Sequence, residues 1–370
     1  MLFLPPLKLT MPKFHPLTVR EVKKETEDTV SVSFDVPVEL KDEYAFIQGQ
    51  YLTFKKDING EEVRRSYSIC RSPFDNDLRV AVKKVEGGLF STYANESLNK
   101  GDVLDVMTPL GRFYTKLDVT HEKHYVAFVA GSGITPVMAH MKTILATEPK
   151  SEFTLVYGNK STASIIFKEE IEDLKNQYMD RLRVFYILSR EASEFPMLHG
   201  RIDGEKCELI LKYFIEPESI DEVFICGPAP MIDSVRASLS AVNVDRKKIH
   251  FELFASPQQL AERSGKPTEK KKEVMGFEAN VSIILDGVAT QFKMDSQKTN
   301  ILDAALDHGA DLPFACKGGV CATCRAKLEK GEVEMDVNYS LEPDDLERGF
   351  ILTCQSHPTT SDVVVNFDEA

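Results

Sequence analysis

Cys316-Lys-Gly-Gly-Val-Cys321-Ala-Thr-Cys324 places three cysteines in the spacing C-x4-C-x2-C, and a fourth, Cys354, follows inside Leu352-Thr-Cys354-Gln355. Four thiolates in this pattern suit a plant-type [2Fe–2S] cluster. A loop carrying three ligands has to wrap closely around the metal, and Gly318 and Gly319 give it backbone freedom that a side chain would restrict. Zinc is the rival for the same thiolates. Structural zinc sites use two paired knuckles, however, and Cys354 has no cysteine beside it.

The sequence around the loop reads as strand, strand, helix, loop, strand. Val281–Leu285 and Thr290–Met294 flank Asp286-Gly287, a hairpin signal. Asn300 is placed to cap a helix over Ile301–Leu306, and Gly309 ends it. This is the order of a β-grasp ferredoxin, expected over residues 277–370. From Ala279 to Ala370 there are 7 Lys and Arg against 16 Asp and Glu, so this segment carries most of the formal net charge of −13. Residues 256–276, with Pro257, Ser264-Gly-Lys-Pro267 and Lys270-Lys-Lys272, have the composition of an exposed linker. Such a tether lets the last domain swing.

Residues 119–255 alternate strands and helices, which implies a doubly wound parallel sheet. Tyr125–Ala130 is a continuous apolar run, as in a buried parallel strand. It leads into Gly131-Ser-Gly133-Ile-Thr135-Pro136 and a helix over Val137–Leu145. A strand, a Gly-rich turn and a helix N-terminus form a phosphate site. The G-x-G-x-x-G fingerprint is incomplete, because Pro136 stands at the third Gly, but Pro is at ease in a first helical turn. Further strands are read at Phe153–Tyr157, Leu182–Leu188 and Glu222–Cys226.

Residues 12–118 carry short β-like runs between turn signals: Val30–Phe34, Tyr51–Phe54, Leu78–Val82 and Val103–Met107. Their spacing predicts an antiparallel sandwich or barrel. Between them lie Arg64-Arg65-Ser-Tyr67-Ser68 and Gly87-Gly88-Leu-Phe-Ser91. An Arg can pair a phosphate, a Tyr can offer a flat face to an aromatic ring, and a Gly turn opening a helix can present N–H groups to a pyrophosphate. Each piece alone also reads as a basic strand edge or an ordinary turn.

Together these motifs resemble the ferredoxin–NADP⁺ reductase superfamily, and the chain resembles the reductase components of multicomponent oxygenases. The resemblance implies a six-stranded flavin barrel, a nicotinamide domain and a ferredoxin domain. It places Arg65 on a flavin phosphate, Tyr67 against the isoalloxazine and Ser68 near its N5. Gly87, Gly88 and Ser91 match the pyrophosphate motif, which favours FAD over FMN. Gly131, Gly133, Thr135 and Pro136 match the superfamily's own nucleotide turn. Cys226-Gly227-Pro228 matches the motif whose Cys lies near the nicotinamide C4; the bland reading of Cys226 is a buried core thiol. Glu252 and Phe254 match a terminal acidic and aromatic segment beside the nicotinamide and the flavin. The catalytic candidates are therefore Ser68, Cys226 and Glu252, and the metal ligands Cys316, Cys321, Cys324 and Cys354.

The strand ending Tyr157-Gly-Asn159-Lys160 lacks the acid that usually holds an NAD ribose. Ser189-Arg190 resembles the pair that grips a 2′-phosphate, with Lys160 assisting. NADPH is the expected donor and NADH the alternative. Electrons would pass from NADPH through FAD and the cluster to an oxygenase, of di-iron type if the likeness to the reductase subunits of phenylacetyl-CoA epoxidases holds. That likeness rests on Gly158-Asn159-Lys160, the FAD-type barrel and the C-terminal ferredoxin. The other readings are a reductase of another hydroxylase or desaturase, and a non-catalytic redox sensor or adaptor; complete flavin and nicotinamide motifs disfavour the last.

The remaining bounds agree. A chain of 370 residues accommodates two or three domains of about 100–200 residues. The negative net charge argues against nucleic-acid binding, and no run approaches the roughly 18 apolar residues of a membrane span. Seven cysteines, an odd count with one tight cluster, do not make a disulfide framework and point to a reducing, cytoplasmic setting. Met1-Leu-Phe-Leu-Pro-Pro does not read as a signal peptide, and Met11 is an alternative start.

Overall fold

The computed structural model describes residues 12–192, 195–254 and 276–369. The expected linker lies outside the described residues apart from Gly276, as do both candidate starts. Two compact units form, one built on Lys13–Val63 and Tyr67–Phe254, the other on the C-terminal segment that begins at Ala255.

The first unit opens with β1 (Phe14–Thr26), β2 (Thr29–Asp35), β3 (Tyr51–Ile58), β4 (Glu61–Ser68), β5 (Leu78–Lys83) and β6 (Val103–Met107). They form a six-stranded antiparallel sheet in the order β4-β3-β6-β1-β2-β5. Its outer strands are drawn together by the bridge Ile69↔Val80 and by the Cys70 N–H donating to the Arg79 carbonyl at 2.9 Å, so the sheet closes into a barrel. Alternate residues point inward: Leu17 and Val19, Val30, Val32 and Phe34, Leu52 and Phe54, Leu104 and Val106. The four strands expected from sequence lie within β2, β3, β5 and β6. Charged residues crowd β1 and β4, which hides their alternation. The helix α1 (Leu89–Glu96) follows the Gly87-Gly88 turn.

The same unit continues with β7 (His124–Ala130), β8 (Glu152–Asn159), β9 (Leu182–Leu188), β10 (Ile220–Gly227) and β11 (Ile249–Leu253), all parallel, in the order β11-β10-β7-β8-β9. The helices α2 (Ile134–Thr147), α3 (Lys168–Gln177), α4 (Gly204–Tyr213) and α5 (Ala229–Ala241) connect them. Tyr125 to Val129 are fully buried. Tyr125, Ala127 and Val129 pack with α2, whereas Val126 and Phe128 pack with α4 and α5. Each such large apolar side chain contributes about 1.5–3 kcal/mol. The strand order reverses between β7 and β10, which opens a crevice at their carboxyl ends.

Barrel and parallel sheet share a core in which Phe113 meets Phe224 edge-on at 5.5 Å. Arg71, beyond β4, also reaches Glu170 of α3 at 2.8 Å, and Lys142 of α2 holds Glu170 at 2.9 Å and Asp75 at 2.5 Å.

The second unit comprises β12 (Glu278–Leu285), β13 (Val288–Asp295), α6 (Ile301–Asp307), β14 (Arg325–Lys330), β15 (Val333–Met335), α7 (Pro343–Glu347), β16 (Phe350–Leu352), β17 (Ser356–Pro358) and β18 (Asp362–Asn366). One sheet runs β13-β12-β18-β14-β16 with β12 and β18 parallel, and β15 pairs β17 separately. Asp286 (φ 53°) and Gly287 (φ 71°) make the hairpin turn. Asn300 caps α6 by accepting from the Asp303 N–H at 2.9 Å. Between the helix and the last strand the sequence pattern shows only a loop. The segments β15, β16 and β17 are three residues each, too short for alternation to declare them.

Candidate functional site

Three of the candidate thiols lie in the 316–324 loop of the second unit, and the fourth, Cys354, follows β16. Cys316 Sγ accepts from the backbone N–H groups of Gly318 at 3.3 Å and Cys321 at 3.4 Å. The Cys321 thiol and those N–H groups draw Cys316 toward the thiolate, and the Cys324 thiol does the same for Cys354. Among the described residues no three His, Cys, Asp or Glu side chains converge as ligands of one ion. Thiolates are the donors that an iron–sulfur cluster takes, and Cys316, Cys321, Cys324 and Cys354 would hold the [2Fe–2S] group implied by the spacing. Gln355, which the sequence motifs leave out, donates from Nε2 to Cys354 Sγ at 3.4 Å and to the Lys317 carbonyl at 3.0 Å. Its place next to Cys354 was the available signal. Lys317 (φ 49°) and Ala322 (φ 53°) take left-handed backbone conformations in this loop.

In the first unit the turn at Gly131–Gly133 leads directly into α2. Gly131 lies at φ 56°, with open space where a Cβ would project. Gly133 is required for a different reason: a Cβ there would overlap the Cys226 carbonyl oxygen and lie 2.6 Å from its carbon. The turn thus sits directly on β10 at the crevice. Thr135 is buried and donates to the Ser132 carbonyl at 3.0 Å, and Pro136 is buried in the first turn of α2. Gly227 continues β10, and Pro228 precedes α5.

Lys160 and Arg190 are both exposed and adjacent, because the Arg190 N–H donates to the Lys160 carbonyl at 2.8 Å. Ser189 donates its N–H to the Asn159 carbonyl at 3.0 Å and its hydroxyl to the same oxygen at 3.3 Å. Glu191 extends this staple. Its carboxylate accepts from Thr162 N–H at 2.8 Å and Thr162 Oγ1 at 2.7 Å, which holds it below the usual carboxylate range. Glu191 follows Arg190 directly in sequence, yet only the fold reveals its partner.

At the crevice mouth, barrel and sheet meet on three expected residues. Ser68, buried at the end of β4, donates its hydroxyl to Glu252 Oε2 at 3.0 Å across 184 positions of chain. Glu252 on β11 is in register with Cys226 on β10. Burial pushes the Glu252 carboxyl up to about 7, against the lowering by the Ser68 hydroxyl. Burial likewise keeps the Cys226 thiol well above its ordinary range, with the Glu252 charge adding to the effect. Phe254 packs partly buried against the core, its N–H donating to the Gly227 carbonyl at 3.4 Å.

The remaining flavin candidates lie on the barrel. Tyr67 packs its ring 5.9 Å from Phe54 and 5.6 Å from Phe90. Arg65 is exposed on β4, its guanidinium donating to the Arg64 carbonyl at 2.7 Å. Gly87 (φ 71°) and Gly88 precede α1. The Ser91 hydroxyl accepts from the Val85 N–H at 3.1 Å and donates to the Gly88 carbonyl at 3.3 Å, so it braces this turn.

Three family descriptions match the chain in order: Oxidoreductase FAD-binding domain over residues 16–114, Oxidoreductase NAD-binding domain over 128–237, and 2Fe-2S iron-sulfur cluster binding domain over 283–359. The chain is 46% identical to a subunit of the 1,2-phenylacetyl-CoA epoxidase of Escherichia coli K12, over 97% of this chain and 99% of the relative. It is 34% identical to the ferredoxin reductase component of 3-ketosteroid-9-alpha-monooxygenase from Rhodococcus rhodochrous, over 95% and 96% of the two chains. The solved phthalate dioxygenase reductase has the same fold, with a TM-score of 0.56 at 20% identity over 96% of this chain and 98% of that one.

Proposed function

The chain belongs to the family of FAD- and [2Fe–2S]-containing reductase components of oxygenases, and from that premise we propose that it passes electrons from NADPH to the oxygenase of a phenylacetyl-CoA epoxidase. The bound groups supply the redox chemistry: hydride donation by the nicotinamide, storage of an electron pair on the flavin and one-electron transfer at the cluster. The chain binds, orients and manages protons. The observation that carries the reading is the meeting of Ser68, Cys226 and Glu252, which joins the flavin barrel to the nucleotide crevice.

Each residue has a definite task in this reading. Arg65 pairs a flavin phosphate, and the turn Gly87-Gly88, braced by Ser91, faces the pyrophosphate. Tyr67 and Phe254 flank the ring system. Ser68 and Glu252 form a proton relay whose carboxyl, with its pKa near 7, exchanges a proton at neutral pH. Cys226, kept neutral by burial, gives the nicotinamide an uncharged neighbour. Gly131, Gly133, Thr135 and Pro136 hold the nucleotide pyrophosphate at the start of α2, with Gly227 and Pro228 across the crevice. Lys160, Ser189 and Arg190 take the 2′-phosphate, where the Arg190 N–H donating to the Lys160 carbonyl ties the two basic residues' backbones together. Cys316, Cys321, Cys324 and Cys354 hold the cluster. The acidic C-terminal segment suits a basic docking patch on a di-iron oxygenase. No described helix is long and apolar enough to cross a membrane, and the seven cysteines fit a reducing cytoplasm.

The test is reconstitution. NADPH consumption is expected to become dependent on phenylacetyl-CoA when the oxygenase component is added, and kcat/KM with ferricyanide as acceptor is expected to favour NADPH over NADH. Ferricyanide reduction without any phenylacetyl-CoA-dependent turnover would move the chain to another hydroxylase. Preference for NADH would remove the 2′-phosphate assignment.

A further inference from the structure

Tyr157, near the end of β8, is a buried residue with no task in the electron path from nicotinamide to cluster. Its side chain is fully buried. Its ring lies with α2 and the β9 side chain Tyr186, 6.3 Å away, in the core of the parallel sheet. A phenylalanine would fill the same volume, so packing does not explain the hydroxyl. That hydroxyl donates to the carbonyl oxygen of Gly131 at 3.0 Å. The same oxygen accepts from the Ile134 N–H, so two donors fix its direction. Gly131 is the left-handed residue of the nucleotide turn, at φ 56°.

A trans peptide is planar, with its C=O and N–H pointing opposite ways. Holding the Gly131 carbonyl toward Tyr157 therefore turns the Ser132 N–H away from it. Tyr157 stands on β8, which flanks β7 on one side; β10 flanks β7 on the other. The Ser132 N–H thereby points away from Tyr157, and the turn that carries it lies against β10, where a Gly133 Cβ would meet the Cys226 carbonyl beside the crevice. Glycine leaves this peptide free to rotate, and a donor fixed before the ligand arrives costs less ordering on binding.

We infer that Tyr157 is a positioning residue for the nicotinamide nucleotide, orienting the Gly131–Ser132 peptide so that its N–H faces the pyrophosphate. The pyrophosphate is common to NADH and NADPH, so the effect has to be the same for both. This separates it from the 2′-phosphate assignment, which predicts unequal effects.

The experiment is Tyr157→Phe in the full-length holoprotein, with ferricyanide as acceptor. KM is expected to rise about three- to tenfold, the worth of one hydrogen bond, by the same factor for NADPH and NADH. The kcat at saturating nucleotide is expected to stay within about twofold, because the hydroxyl does not reach the reacting atoms. Tyr157→Leu removes the ring as well and is expected to lower Tm in addition. A Tyr157→Phe protein with unchanged KM for both nucleotides overturns the inference, whether or not its Tm falls, and so does an effect on only one of them.

Discussion

The nucleotide turn at 131–133 and the cysteine loop at 316–324 have the same physical task and meet it differently. In the proposed reading each points backbone N–H groups at an anionic group, phosphate in one case and thiolate sulfur in the other. The nucleotide turn puts glycine where the backbone is left-handed or closely approached, at Gly131 and Gly133. The cysteine loop has Gly319 at φ 74° but also bends through Lys317 at φ 49° and Ala322 at φ 53°. A non-glycine residue there costs about 1–2 kcal/mol. With a cluster held, the four cysteines would tie down the second loop and let it carry strain. The first has no such covalent anchors, and its conformation rests on close packing and on the Tyr157 hydroxyl.

The comparison can be broken most forcefully at Gly133. Gly133→Ala puts a methyl group into the Cys226 backbone, which has to move, and the crevice between β7 and β10 widens with it. The expected result is a fall of about 100-fold or more in kcat/KM for nicotinamide nucleotide, while the visible iron–sulfur absorption of the other unit is retained. Loss of both together would show that the two loops are not independent.

A smaller effect concerns the hydrogen-bonded pair Ser68 and Glu252. The Glu252 carboxyl is raised to about 7 from an ordinary 4.5, so the folded protein binds a proton that the unfolded chain has released. The stability this contributes is fully present below pH 4.5 and fades as pH rises through 7. Tm measured from pH 5 to 8 is expected to fall for the native protein relative to Glu252→Gln, which is neutral throughout. Parallel Tm curves would show that Glu252 titrates normally.

The smallest effect sharpens the contrast. Ala322→Gly relieves left-handed strain at the cost of a more flexible unfolded chain, and a net gain of about 0.5–1 kcal/mol is expected for the ferredoxin unit. Slower loss of iron–sulfur absorption in denaturant would record it. The reverse kind of change, Gly131→Ala, is expected to destabilise and to raise KM. If Ala322→Gly proves neutral, the cysteine loop tolerates φ 53° without strain and the proposed difference between the loops disappears.

Much of this molecule was legible from local pattern. Cysteine spacing, the Gly131–Pro136 turn after an apolar strand and the Arg65–Ser68 segment are contiguous, so the family resemblance they carry can be read from residue type and order. The strands β1 and β4 escaped because their charged residues mask the period of two, and β15 to β17 because three residues show no period. The staple of Glu191 on Thr162 and the Tyr157 bond to Gly131 join residues 29 and 26 positions apart, which no local pattern reports.

By itself the sequence determined the cysteine spacing and the motifs whose resemblance implies FAD, nicotinamide and [2Fe–2S] in that order along the chain, because ligand spacing and turn chemistry are local properties. The tertiary structure alone decided which groups meet. It set Ser68 against Glu252 across 184 positions and raised that carboxyl toward neutrality by burial. Such properties depend on desolvation and on distance through space, and a chain acquires both only when it folds.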